Sequence, residues 1–177
     1  MTQNESALKE QRRLKALNQL KILDSPFETI FDSMTRMASD VCGTPIALIS
    51  LMDEKKLSFK ANVGLEDFLE APRDGSFCQQ VLVDEKLVEI PDATLDDRFW
   101  DNPMVTGHPA LRFYCGVPIK LPMGEIIGAF CVLDLKPNYL NECQRKTIEG
   151  LANLVSQLLI LREINLKRND IEHVSFI

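Results

Sequence analysis

Apolar residues recur at helical spacing toward both ends of the chain and at strand spacing between them. Over residues 5–23, Leu8, Leu14, Leu17, Leu20 and Leu23 are interleaved with Lys, Gln and Arg, with no Gly or Pro, which predicts a first helix. The "DSP" at 24–26 ends it and places Pro26 to open a second helix over about residues 27–41. Ile30, Met34, Met37, Ala38 and Val41 are its expected buried stripe, and "CGTP" breaks the pattern.

The run "IALISLMD" (46–53) is apolar on both alternating faces, so it reads as a strand covered on both sides. "LSFKANVG" (57–64) is its antiparallel partner. An irregular stretch then ends in "PRDGSFC", with a short helix from Phe77 to Leu82 and a brief strand "LVEIP" (87–91). Residues 92–112 read as one long loop, and loops of that length in compact domains usually carry function. "FYCGVPIK" (113–120) and "IIGAFCVLD" (126–134) form a hairpin across "LPMGE". On its second strand Ile127, Ala129, Cys131 and Leu133 share one face, and Phe130 and Val132 the other.

Asn141 and Gln144 make a capping-box pattern that starts a helix running to about Lys167, on the order of 40 Å. Covering one sheet needs about half that length. Its second half keeps apolar residues such as Leu158, Leu161 and Ile164, which predicts self-association. The order of elements describes an α+β fold: a central antiparallel sheet with terminal helices on one face and long loops and a short helix over the other. Residues 1–24 are an N-terminal helix, 25–162 the domain proper, and 163–177 a helix end and tail. The ending "NDIEHVSFI" does not resemble an output domain, so the chain is either a stand-alone protein or a fragment of a longer receptor.

Composition narrows the class. Hydrophobic residues make up 45% of 177, the pattern of a folded domain. The longest apolar run, "LVSQLLILREI", is too short and polar to cross a bilayer, and the start lacks a secretory signal. A soluble cytoplasmic protein is expected. A net charge of −6 with scattered basic residues speaks against nucleic acid. Five cysteines without a CxxC pair, and two histidines far apart, argue against a disulfide framework and a metal site. His173 falls in the polar tail.

Candidate chemistry lies on the loop side. Cys78 stands near a helix start beside Ser76, with Arg73 close in sequence but no base in view. Pocket wall or core is the favoured reading, because buried cysteine is a common small hydrophobe. In "PDATLDDRF", Asp92, Asp96, Asp97 and Arg98 suit local loop closure better than a ligand rim. Arg112, at a strand mouth, suits a carboxylate or phosphate as well as a salt bridge to Asp92 or Asp74. Phe59, Tyr114 and Phe130 are candidate aromatic walls. The ligand-facing set is thus Phe59, Ser76, Cys78, Asp92, Arg112, Tyr114 and Phe130, with no catalytic or metal-ligating residue.

The segments "LKILDSPFETIFDSMTRMAS", "PIALISLMDEKKLSFKANVGL", "PRDGSFC", "PDATLDDRFWDNPMV", "RFYCGVPI" and "GAFCVLDLKP" resemble, in order and spacing, the GAF domain family over about residues 18–162. The likeness is to bacterial sensors found alone or upstream of histidine kinases and diguanylate cyclases. It implies a pocket under the long loops and helical ends that pass signals or hold dimers. It names no ligand, because the fold hosts cyclic nucleotides, tetrapyrroles, small metabolites or nothing. The Asn-Lys-Phe-Asp-Glu signature of cyclic-nucleotide binders is missing. So is the histidine that follows the anchoring cysteine of tetrapyrrole binders: Gln79 and Gln80 follow Cys78. Cys78, Cys115 and Cys131 do not match the free-methionine sulfoxide reductase pattern. The expected function is a non-catalytic, homodimeric regulatory sensor of an unidentified small molecule in bacterial signal transduction, with a kinase or cyclase as output partner. A thiol-dependent reductase of a small metabolite, or a ligand-free dimerisation scaffold, are the alternatives.

Overall fold

The computed structural model describes residues 3–65 and 67–174. In chain order the elements are α1 (Gln3–Gln19), α2 (Thr29–Cys42), β1 (Ile46–Met52), β2 (Lys56–Val63), β3 (Glu70–Pro72), α3 (Phe77–Asp84), β4 (Val88–Ile90), α4 (Pro103–Thr106), β5 (Phe113–Lys120), β6 (Ile126–Asp134) and α5 (Glu142–Val174). A 3-10 turn, Ala93–Leu95, precedes α4. The strands form one six-stranded sheet in the order β3-β2-β1-β6-β5-β4. Every pairing is antiparallel.

The two-sided apolarity of β1 and β6 is used on both faces. On one, α2 and α5 bury Phe31, Ala38, Ile148 and Val155 against Ile49, Phe113, Phe130 and Val132. On the other, α3 and the loop over residues 92–112 bury Phe77, Phe99, Val105 and Leu111 against Leu48, Tyr114 and Cys131. The capping box closes as its residue types require: the Asn141 side chain accepts from the Gln144 N–H at 2.9 Å, and Gln144 Oε1 accepts from the Asn141 N–H at 2.9 Å.

Several expectations are corrected. Helix α1 stops at Gln19, and Leu20 and Ile22 are buried from a turn rather than from a helix face. Pro26 lies in the connection, and α2 opens at Thr29 with Glu28 in the N-cap position. The buried row of α2 is Phe31, Met34, Thr35, Ala38 and Cys42, while Ile30, Met37 and Val41 face out. Both rows obey helical spacing, so periodicity alone does not say which one meets the sheet. Strand β3 was not expected: "EAP" has little strand character, and its ladder with β2 supplies the hydrogen bonds. Ile127 packs with Phe130 and Val132 rather than with Ala129. The β5–β6 register shifts between Ile119 and Lys120, and an irregularity there turns a side chain to the other face. The C-terminal helix continues to Val174 rather than Lys167. His173's side chain and the tail residues 175–177 lie outside the described residues. Among the described residues, no helix is long and apolar enough to cross a membrane.

Candidate functional site

A cavity of about 210 Å³ opens on the loop side, between β2, β3, the Asp74–Ser76 turn, α3 and α4. Its wall is built of Leu48, Leu57, Phe59, Leu65, Leu111, Tyr114 and Leu133, and its polar side chains are Asp74, Ser76, Cys78, Asn102 and the Tyr114 hydroxyl. Among the described residues, none of the side chains lining it is a cation.

Local sequence fixes the lip. Ser76 caps α3 by accepting the Gln79 N–H at 3.1 Å, which sets Cys78 in the helix's first turn. Asn102 caps α4, accepting from the Met104 N–H at 2.8 Å, and donates to the Gly75 carbonyl at 2.7 Å. The residue that opens one short helix thereby ties the turn before the other. Tyr114 stacks on Phe77 at 5.2 Å between ring centroids, and Phe77 on Phe99 at 4.3 Å. Gly116, on the same face of β5, makes this packing feasible: a Cβ there would overlap the Tyr114 hydroxyl.

Beneath the cavity, three polar groups converge on one sulfur. The Tyr114 hydroxyl donates to Cys78 Sγ at 3.6 Å. The Ser50 hydroxyl lies 3.3 Å from that sulfur and 3.3 Å from the Ala129 carbonyl oxygen, and donates to one at a time. Cys131 Sγ lies 3.9 Å from Cys78 Sγ. The hydrogen bond from Cys131 holds the Cys78 thiol below its ordinary pKa against the opposing effect of burial, helped by those from Ser50 and Tyr114. Cys131, as the donor and fully buried, is pushed up.

A second polar cluster ties the lip to the N-terminal helix. Arg73 Nε donates to Gln79 at 2.8 Å, and its guanidinium reaches Glu10 of α1 at 2.6 Å and the Asp53 carbonyl at 3.0 Å. Glu10 also holds Arg13 at 2.7 Å, and Arg13 donates to the Met52 carbonyl. Burial acts to raise the Glu10 carboxyl, but hydrogen bonds and charge from Arg13 and Arg73 outweigh it and hold the group at about 2. A larger open groove of about 720 Å³ runs beside this cluster, between α1, α3 and the Met123–Ile126 hairpin end.

Of the ligand-facing set read from the sequence, Phe59, Ser76, Cys78 and Tyr114 line the cavity. The other three do not border it. Asp92 caps the 3-10 turn, accepting from the Thr94 N–H at 3.0 Å. Arg112 donates at 3.0 Å to the carbonyls of Val105, Ala110 and Leu111, a clamp on its own loop rather than an ion pair with Asp92 or Asp74. Phe130 is buried on the helix face of the sheet. Cys115 lies on that face as well, away from Cys78 and Cys131, and burial raises its thiol. Asp96 and Arg98 close on each other at 2.6 Å, the local pairing their spacing suggests. Asn102 and Met104 were missed as cavity residues. "NPMV" announces a helix start, but nothing in it says which way the helix faces.

The GAF domain family's sequence model matches residues 26–159. A cyclic di-GMP phosphodiesterase of Pseudomonas aeruginosa is 37% identical over 158 residues. Those residues are 88% of this chain but 27% of that protein, so the chain spans about a quarter of the relative's length. Among solved structures, the GAF domain of an Acinetobacter phosphoenolpyruvate-protein phosphotransferase matches with a TM-score of 0.65 at 18% identity, over 88% of this chain and 98% of that one. A type II free methionine-R-sulfoxide reductase from Thermoplasma acidophilum matches with a TM-score of 0.62 at 16% identity, over 74% of this chain and 90% of that one. At those identities the likeness is one of fold.

Proposed function

The chain belongs to the GAF domain family, and on that premise we propose that it is a non-catalytic sensor module whose loop-side cavity binds a small, largely apolar molecule without a negative charge. The observation that carries this reading is the cavity wall: apolar on most sides, with polar side chains only at the lip and at Cys78 and Tyr114, and, among the described residues, without a cation to hold a phosphate or carboxylate. Its 210 Å³ lies below the roughly 300–1,000 Å³ of clefts that take drug-sized ligands, so the guest is a small one. A tetrapyrrole or a cyclic dinucleotide is far larger. The phosphodiesterase activity of the Pseudomonas relative is therefore assigned to the part of that protein outside the matched segment, with this domain as a regulatory input. A kinase or cyclase in place of the phosphodiesterase is the equivalent output partner.

The module dimerises through its helical face. Arg162 of α5 meets Glu28 at the start of α2 at 3.3 Å, and Gln144 at the start of α5 donates to Val41 at the end of α2 at 3.1 Å. The two helices thus run antiparallel, with Ile30, Met37 and Val41 of one and Leu154 and Leu161 of the other exposed along the pair. A second copy of the same face is the complement to that row.

Native mass spectrometry of the protein purified from its own host tests the ligand. A mass excess smaller than a nucleotide that vanishes on denaturation supports the reading. A nucleotide-sized excess, or none, overturns it. Sedimentation at micromolar concentration tests the dimer: wild type is expected as a dimer and Leu161→Glu as a monomer, because the substitution places a charge in the apolar row. A monomeric wild type refutes this part.

A further inference from the structure

Among the described residues, Cys78 and Cys131 are the one pair of cysteines whose sulfurs meet, 3.9 Å apart. They come from different layers, Cys78 from the first turn of α3 and Cys131 from the middle of β6. Cys78 borders the cavity and keeps 5% exposure, whereas Cys131 is fully buried behind it. A reagent entering past Asp74 and Ser76 therefore meets Cys78 first, and Cys131 only through Cys78. Cys131, Ser50 and Tyr114 each reach Cys78 Sγ with a donor and lower the pKa of its thiol.

We propose that Cys78 and Cys131 form an oxidation site that hydroperoxides convert to a disulfide, so that the cavity floor reports oxidants as well as a bound molecule. The Cys78 sulfur attacks the terminal oxygen of a hydroperoxide. An S–O bond forms, the O–O bond breaks, and the departing alkoxide takes the Cys78 proton and leaves as an alcohol. The Cys131 sulfur then attacks the Cys78 sulfenic acid. The S–S bond forms, the S–O bond breaks, and hydroxide leaves with the Cys131 proton as water. Two thiols lose two electrons in all, and the hydroperoxide gains them. Contraction from 3.9 Å to about 2.05 Å draws α3 toward β6. Because Gln79, the next residue, is held by Arg73, the movement bears directly on the cluster that ties the lip to α1.

The test is intact-mass and peptide analysis of the full chain carrying Cys143→Ser, which removes the exposed thiol. It is treated with hydrogen peroxide or cumene hydroperoxide and then alkylated under denaturing conditions. The expected product is lighter by two hydrogens, takes up two fewer alkyl groups and yields a Cys78–Cys131 linked peptide. Cys115→Ser, on the opposite face, still forms this peptide, and Cys131→Ser stops at a Cys78 sulfenic or sulfinic acid. A Cys42–Cys115 link instead, over-oxidation of Cys78 while Cys131 is intact, or two free thiols under conditions that oxidise Cys143 in the parent chain would each overturn the proposal.

Discussion

Gly128→Ala is expected to lower the melting temperature of this domain by about 6–12 °C. Gly128 sits in β6, opposite Leu51 of β1 and Ile119 of β5, where the sheet is covered on both faces. A Cβ at this position would overlap the Ser50 carbonyl oxygen and approach Leu51 Cα to 3.2 Å. Both neighbours are backbone, so no side chain can rotate away, and relief requires β1 and β6 to separate. Overpacking of this kind costs about 3 kcal/mol, and each kcal/mol moves the midpoint of a chain this size by about 2–4 °C. Gly150 in α5 is the matched control, because a Cβ there meets nothing within 4 Å. Gly150→Ala is expected to stabilise by up to about 1 kcal/mol through helix propensity. Thermal melts followed by circular dichroism check both. If Gly128→Ala melts with the wild type, the β1–β6 contact yields more easily than this geometry allows.

The same crowding explains why so much of the centre of the fold was legible. Strands buried on both faces are continuous apolar runs, and β1, β5 and β6 begin and end within a residue of where those runs do. The Asn141–Gln144 box is equally plain, because a cap depends on residue type and spacing alone. Legibility falls where a neighbour decides the outcome. Strand β3 exists because β2 offers a free edge, and the buried row of α2 is chosen by the sheet from two apolar rows. The site divides in the same way. Phe59, Ser76, Cys78 and Tyr114 follow from strand alternation and from a cap, both local. Arg112 reads as a ligand holder in sequence, but its loop turns three carbonyls inward, and buried carbonyls need donors. Phe130 is excluded by alternation itself. A period of two puts it opposite Cys131, so a wall that contains one cannot contain the other. In the Arg73–Glu10–Arg13 cluster, Glu10 and Arg13 are an ordinary i,i+3 helix pair, but the link to Arg73 spans 63 residues and has no local signal.

That cluster gives the second large effect. Glu10→Gln is expected to destabilise the domain at neutral pH by on the order of 2 kcal/mol, and the loss is expected to fade in acid. Arg13 is only 3% exposed and Arg73 10%, so the carboxylate between them offsets two guanidiniums that water reaches poorly. Glu10 itself is 34% exposed, and solvent screening on its open side keeps the figure below the full cost of breaking a buried pair. The direction with pH follows from the depressed carboxyl. Its folded pKa of about 2 lies below the ordinary value of 4.5, so the contribution is complete above about 4.5 and is lost as pH falls toward 2. Urea unfolding of wild type and Glu10→Gln at pH 6 and pH 3 measures it: the gap between them is expected to shrink by more than half. A gap that stays constant would mean that the substitution loses packing rather than charge. Hydrogen exchange then shows where the loss falls. Helix α1 reaches the domain through this cluster, through the exposed Lys9–Glu85 pair and through Ala16 and Leu17, with Leu20 just beyond its end, so its first turns are expected to exchange faster in Glu10→Gln while the β1 and β6 amides keep their protection. Such a pattern makes the N-terminal helix a separately releasable element, held by the same arginine that holds the cavity lip. A structural change at Ser76–Cys78 can then reach the end of the chain.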